Sequence, residues 1–257
     1  CIRDRYDPAW TCPSQNAGES MPCGGGDIGL NVWVENGDLL LYLSRSGTFD
    51  ENNGFLKLGR MRLRIHPDPW ARADGFHQIL KLEQGYVEIQ GDVDGCPVKI
   101  DVWVDVFAPV IHVDIQSQKA VSLEVIYESW RSEDRVLAGG ANQSNRSFLG
   151  APVQAIVRKD VVDFHDQDIL AYHRNDDKPP NAFSVCVEQQ GLSSVKDQLW
   201  NPLKNRTFGV LVRGEGLEPA GRTRGRYAST DYQGWRLKSK HEAFSHHVAI
   251  YAHVDQA

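Results

Sequence analysis

No apolar run in this 257-residue chain approaches the ~20 residues that a membrane-spanning helix requires. Close Cys-x-x-Cys pairs are missing too. The five cysteines, at positions 1, 12, 23, 96 and 186, are odd in number and widely spaced, which suits neither a zinc site nor a disulfide framework. They read as buried or free thiols. Positive charge is not in excess: the net charge is −6 with the basic residues scattered, so an electrostatic nucleic-acid partner is excluded. There is no fixed-period repeat and no low-complexity linker. Neither a signal peptide nor a tag is visible. No stretch longer than a turn or two carries a 3.6-residue apolar stripe, so helix is minor.

What the chain does have is strand pattern and turn chemistry. Glu19 to Asn53 holds a glycine cluster, then two apolar runs meeting at Glu35-Asn36-Gly37-Asp38, then the acidic, amide-rich loop Asp50-Glu51-Asn52-Asn53. Asn-Gly between such runs is a strong hairpin signal, because both central positions of a type I′ turn need positive φ. Antiparallel pairing then sends the glycine loop and the acidic loop out at the same end of the sheet. That end is where function is expected.

Further strands follow at intervals of roughly ten residues, the spacing of a sandwich or barrel. Phe55–Pro67 alternates, with Met61, Leu63 and Ile65 on one face and Arg60, Arg62, Arg64 and His66 on a basic outer face. Val98–Phe107 places Ile100, Val102, Val104 and Val106 on one side and Asp101, Trp103, Asp105 and Phe107 on the other. Val110–Gln116 and Val121–Tyr127 read as two separate strands, and Ala182–Gln189 and Arg226–Gln233 as one strand each. Segment 131–150 is the longest loop, with a short helical turn expected at Ser132–Leu137. The expectation is an extended lead-in over 1–18 and one large antiparallel β-sandwich over 19–257.

Several residue groups invite a chemical reading. Gly24-x-Gly26-x-x-Gly29 has dinucleotide-like spacing, but Pro22 precedes it and a strand-like run follows instead of a helix, so a tight turn is the better account. Asp50 to Asn53 suit turn chemistry first. A polar interface or ligand rim is the second account, and paired glycosidase carboxylates the third. Asp50, Asn52 and Gly54 also echo a calcium loop, without its closing glutamate. His173-Arg174-Asn175 ends a strand beside a polar loop. His165, Asp166 and Asp168 are too short a tract to build a metal shell, and His246 and His247 fall on opposite strand faces. Neither a metal nor a cofactor is expected. Trp103 and Phe107 are candidate sugar-stacking residues, although large aromatics more often pack cores and seams.

The stretch from Trp10 through Pro22-Cys23-Gly24-Gly25-Gly26-Asp27-Ile28-Gly29 to Asn53 resembles the N-terminal β domain of bacterial glycoside-hydrolase-like proteins. LKLGRMRLRIHP, VWVDVFAPVIHVDI, YHRN and NPLKNRTFG extend the resemblance over most of the chain. The nearer similarity is to a domain of unknown function that precedes an (α/α)6 barrel. The more distant one is to the leading domain of glycoside hydrolase family 95 fucosidases. The resemblance implies a galactose-mutarotase-like β-supersandwich whose catalytic acid and base reside in the following barrel, so no catalytic residue is assigned here. It makes Glu19, Asp27, Asp50, Glu51, Asn52, Asn53, His173, Arg174 and Asn175 candidates for docking that barrel or rimming its sugar site. It also implies export, with Cys1 as a lipid anchor.

The last strand runs to the final residues, and the chain is therefore expected to be the leading part of a longer protein. Two rivals stand beside this reading. One is a freestanding oligosaccharide-binding module working through Trp103. The other is a mutarotase-like sugar epimerase dependent on His173.

Overall fold

The computed structural model describes residues 6–72, 75–138, 148–151, 153–176 and 178–256. It is an all-β antiparallel sandwich. Strands β1 (Ala9–Trp10), β2 (Met21–Gly25), β3 (Ile28–Glu35), β4 (Asp38–Arg45) and β5 (Gly59–His66) come first. Strands β6 (His77–Lys81), β7 (Tyr86–Val93), β8 (Cys96–Val104) and β9 (Val110–Ser129) follow. After the short pair β10 (Arg135–Val136) and β11 (Ile156–Val157) come β12 (Val161–His165) and β13 (Asp168–Arg174). Helix α1 (Ala182–Gln189) precedes β14 (Arg206–Gly214), β15 (Leu217–Tyr227), β16 (Thr230–Ser239) and β17 (Ala243–Gln256).

One strand joins the two layers. The first part of β9 pairs with β8 and β17, in the order β1-β6-β7-β8-β9-β17-β14-β13-β12. Its second part pairs with β5 and β16, so that β2-β3-β4-β5-β9-β16-β15 form the facing layer. The two strands expected at Val110–Gln116 and Val121–Tyr127 are thus one element of 20 residues. Polar residues Gln116 to Lys119 mimic a turn in sequence, yet the strand passes from one sheet to the other there.

Alternation fills the space between layers. Val87, Ile100, Val113 and Ile250 from one sheet meet Leu41, Leu63, Val125 and Leu237 from the other in one buried cluster. Burying a side chain of this size is worth roughly 1.5–3 kcal/mol, which fixes strand register because a one-residue slip would invert every face.

Four expectations need correction. The outer face of β5 is not a solvated basic stripe: Arg60 and Arg62 are buried, and Glu128 accepts from both Nε atoms, at 2.5 and 2.6 Å. Ala182–Gln189 is helix, begun by Asn181, whose side chain accepts from Ser184 N in a reciprocal capping box. Arg226–Gln233 spans a hairpin turn with Ala228 at φ 51°. The helical turn expected at Ser132–Leu137 is instead the short strand β10, paired with β11; residues 139–147 of that loop lie outside the described residues.

Candidate functional site

The glycine cluster is itself a hairpin, since Gly25 pairs with Ile28 across a two-residue turn. Gly26 takes φ +59°, and a Cβ on Gly24 would sit 2.5 Å from the Ile28 carbonyl oxygen. The turn abuts the β8–β9 connection, where a Cβ on Gly25 would lie 3.1 Å from Val106 Cγ1. Asp27 pairs with Arg45 Nε at 2.9 Å, and Arg45 Nη1 donates to the Ala252 carbonyl at 2.5 Å. The glycine turn, the loop after β4, the β8–β9 turn and the end of β17 therefore gather at one end of the sandwich, as the hairpin pattern requires.

The acidic loop folds by its own turn chemistry. Asp50 Oδ1 accepts from Asn52 N at 3.1 Å and Gly54 N at 2.7 Å, and Asn53 adopts φ 59°. Three of its members are nonetheless buried, with Asp50 and Glu51 each 2% exposed and Asn52 1%. Asn52 Nδ2 donates to Ile156 O at 2.7 Å, and Ala182 N donates to Glu51 O at 2.8 Å. The loop is pinned under β11 and the first turn of α1.

Beneath it lies a chain of charges. His173 Nε2 is 3.0 Å from Glu51 Oε2, and its Nδ1 is 3.2 Å from Asp160 Oδ1. Asp160 also accepts from Arg131 Nε at 2.8 Å and Ser129 Oγ at 2.9 Å. Phe208 stacks on the imidazole with 5.1 Å between centroids. Burial pulls the His173 pKa down, but the hydrogen bonds and charges of Asp160 and Glu51 outweigh it and lift the pKa to about 9. Burial pushes the Asp160 carboxyl up, and His173 with Arg131 brings it net below the usual range. At neutral pH the ring is an imidazolium with two donors and no lone pair. It fastens the acidic loop to β13.

Asn175 repeats the fastening, its Nδ2 donating to Phe49 O at 3.1 Å and Leu203 O at 2.9 Å. The sequence-predicted residues Glu51, Asn52, His173 and Asn175 thus come together with Asp50. Others stay apart. Asn53 and Arg174 are exposed, and Asp27 lies on the outer rim. Glu19 is spent locally, its Oε2 accepting from Gln15 N at 2.7 Å. Asp160, Arg131 and Ser129 were not legible, because each is an ordinary polar residue until the fold brings it to His173. Cys1 lies outside the described residues.

Residues 9–257 match the model of a family described as a domain of unknown function (DUF5703). The chain belongs to that family. No curated protein matches it. Among solved structures, a "putative kojibiose phosphorylase from human microbiome" is similar at 10% identity and a TM-score of 0.38, covering 97% of this chain. The chain spans 33% of that phosphorylase chain.

In this DUF5703 domain the two aromatic candidates do not form one platform. Strand β8 ends at Val104, so Phe107 rides on the following turn, where Asp105 Oδ1 accepts from its N at 2.8 Å. There it is 98% exposed. Trp103 stays on the open sheet face, but His112 stacks on its indole at 4.0 Å. Asp114 accepts from Trp103 Nε1 at 2.8 Å and lies 2.6 Å from His247 Nδ1. His247 Nε2 is in turn 3.4 Å from His112 Nδ1. Burial, with the neighbouring His247, lowers the His112 pKa. No group of three or more His, Cys, Asp or Glu suited to a metal occurs among the described residues, and no helix there is long and apolar enough to cross a membrane.

Proposed function

We propose that this DUF5703 domain is the leading, non-catalytic β-sandwich of a carbohydrate-active, glycoside-hydrolase-like protein. Its loop end packs against a following (α/α)6 barrel and lends residues to the rim of a sugar site there. A distant kinship with the leading domain of family 95 fucosidases belongs to the same reading, as do export and lipid attachment at Cys1.

One observation carries it. The polar side chains converging at the loop end are turned inward, each with at least one hydrogen bond there, although Glu51 Oε1, Asn52 Oδ1 and Asn175 Oδ1 are buried without a partner among the described residues. Apolar side chains on the same end face water. Phe107 and Val106 stand on the β8–β9 turn, and Phe55 stands on the acidic loop, all exposed. Buried charge holds the loops rigid, and the exposed apolar rim is the part left to meet a partner domain.

The test is hydrogen exchange on the isolated chain and on the same chain within its full-length polypeptide. Residues 46–56 and 105–109 are expected to gain protection in the longer protein. Unchanged exchange over both segments, or glycoside turnover by the isolated chain, removes the reading.

A mutarotase-like epimerase is favoured by one feature, the Trp103–His112–His247–Asp114 array. In the tautomer in which His247 Nδ1 donates to Asp114, His247 Nε2 accepts from His112 Nδ1 and His112 Nε2 keeps its lone pair. The expected base, His173, is buried with both ring nitrogens on carboxylates, so that reading moves the base to His112 and predicts sugar epimerisation by the chain itself, abolished in His112→Ala.

A further inference from the structure

Beside α1 and the end of β17 lies a groove of about 670 Å³, within the ~300–1,000 Å³ of typical small-molecule sites. Phe183, Asp197, Trp200 and Asn205 line it, with Lys196 and Gln256. Trp200 is 75% exposed, yet the turn presenting it is tied down. Asn201 Oδ1 accepts from Leu203 N at 3.0 Å. Gln256 Nε2 donates to the carbonyls of Asn201 at 3.0 Å and Lys204 at 3.1 Å. An indole left in water contributes little to folding, so rigid presentation of its face calls for another use.

The polar side chains around it have the matching chemistry. The Asn205 amide and the Asp197 carboxylate make no hydrogen bond to a described residue. The former is fixed on a backbone at φ 57°. Lys196 and Lys204 face the one carboxylate of Asp197, and Lys204 has a partner of its own, so the lining carries at most one net positive charge, too little to select a strongly anionic ligand. A flat apolar face beside neutral and oppositely charged hydrogen-bonding groups suits a pyranose ring, with its C–H face and its rim of hydroxyls. Trp103 cannot serve in the same way on its stacked side, because His112 covers that face.

We infer that this groove is an oligosaccharide subsite in which Trp200 stacks on a pyranose ring and Asn205, Asp197 and Lys196 bind its hydroxyls. The inference rests on the carbohydrate-active reading above and not on domain docking. The experiment applies the protein, Trp200→Ala and Trp103→Ala to a printed array of neutral and acidic pyranose oligosaccharides. Affinity for the retained glycans follows by calorimetry.

Retention on one glycan group, weakened about tenfold or more in Trp200→Ala and unchanged in Trp103→Ala, is expected for loss of a central aromatic anchor. An unshifted melting temperature shows that Trp200→Ala stays folded. Failure of every glycan to retain the protein, equal retention of Trp200→Ala, or loss only in Trp103→Ala overturns the inference. A silent array with hydrogen-exchange protection of the loop end intact removes this subsite alone and leaves the docking reading standing.

Discussion

His173 Nε2 lies 3.0 Å from Glu51 Oε2 across 122 residues of chain. This contact joins the acidic loop to β13, the strand next to the sheet edge. Cutting it leaves a charge buried without its partner, a loss of about 3–5 kcal/mol. His173→Ala should therefore unfold at markedly lower denaturant, with an unchanged denaturant slope. A midpoint within error of wild type would show that the loop is held by other contacts.

The same histidine sets a pH dependence. Its folded pKa of about 9 exceeds its ordinary 6.5, so its contribution is complete below pH 6.5 and is lost as pH rises through 9. The gap corresponds to roughly 3 kcal/mol. Asp160 works in the opposite sense: its lowered pKa stabilises above the ordinary carboxylate range and is lost as acid protonates it. Asp50, raised chiefly by burial, offsets part of that acid loss. Thermal melts should show stability falling from pH 6.5 to 9 in wild type, and a much flatter profile in His173→Gln.

Glu128 anchors the charges under β5, accepting from Arg60 Nε and Arg62 Nε. Glu128→Ala strands two buried guanidiniums, one of which still has Asp38, and should cost about 3–5 kcal/mol. The exposed pair Arg222–Asp163 is the control, with its side chains 58% and 69% open to solvent. Asp163→Ala should shift stability by less than about 1 kcal/mol. Equal losses in the two variants would contradict the burial argument.

Gly59 sits at φ +127°, and a Cβ there would meet the Tyr127 ring at 2.6 Å. That ring is fixed, because its hydroxyl donates to Leu58 O at 2.6 Å. Gly85 also has positive φ but nothing within 4 Å. Gly59→Ala should thus cost clearly more than Gly85→Ala, for which backbone strain alone is of order 1 kcal/mol. Chemical denaturation of the two variants compares them directly.

Phe107 buries almost nothing in the domain. Phe107→Ser should leave the melting temperature of the isolated chain unchanged, within about 0.5 kcal/mol. It should also lower hydrogen-exchange protection of the loop end in the full-length protein. Full protection in the variant would move the docking rim elsewhere.

Period-two alternation and Asn36-Gly37 determined the all-β class, the first hairpin and the shared end of its two loops, because turn geometry and side-chain facing are local. Local signals misled where a neighbour outvoted them: AFSVCVEQ reads as strand, but Asn181 and Ser184 cap it as helix. Sequence also named Glu51, His173 and Asn175 without their relationship. Only the tertiary structure brought them to Asp160 and Arg131, buried Arg60 and Arg62 against Glu128, and left Trp200 in water. Partnership and burial depend on which distant strands become neighbours, and no short window of residues contains that information.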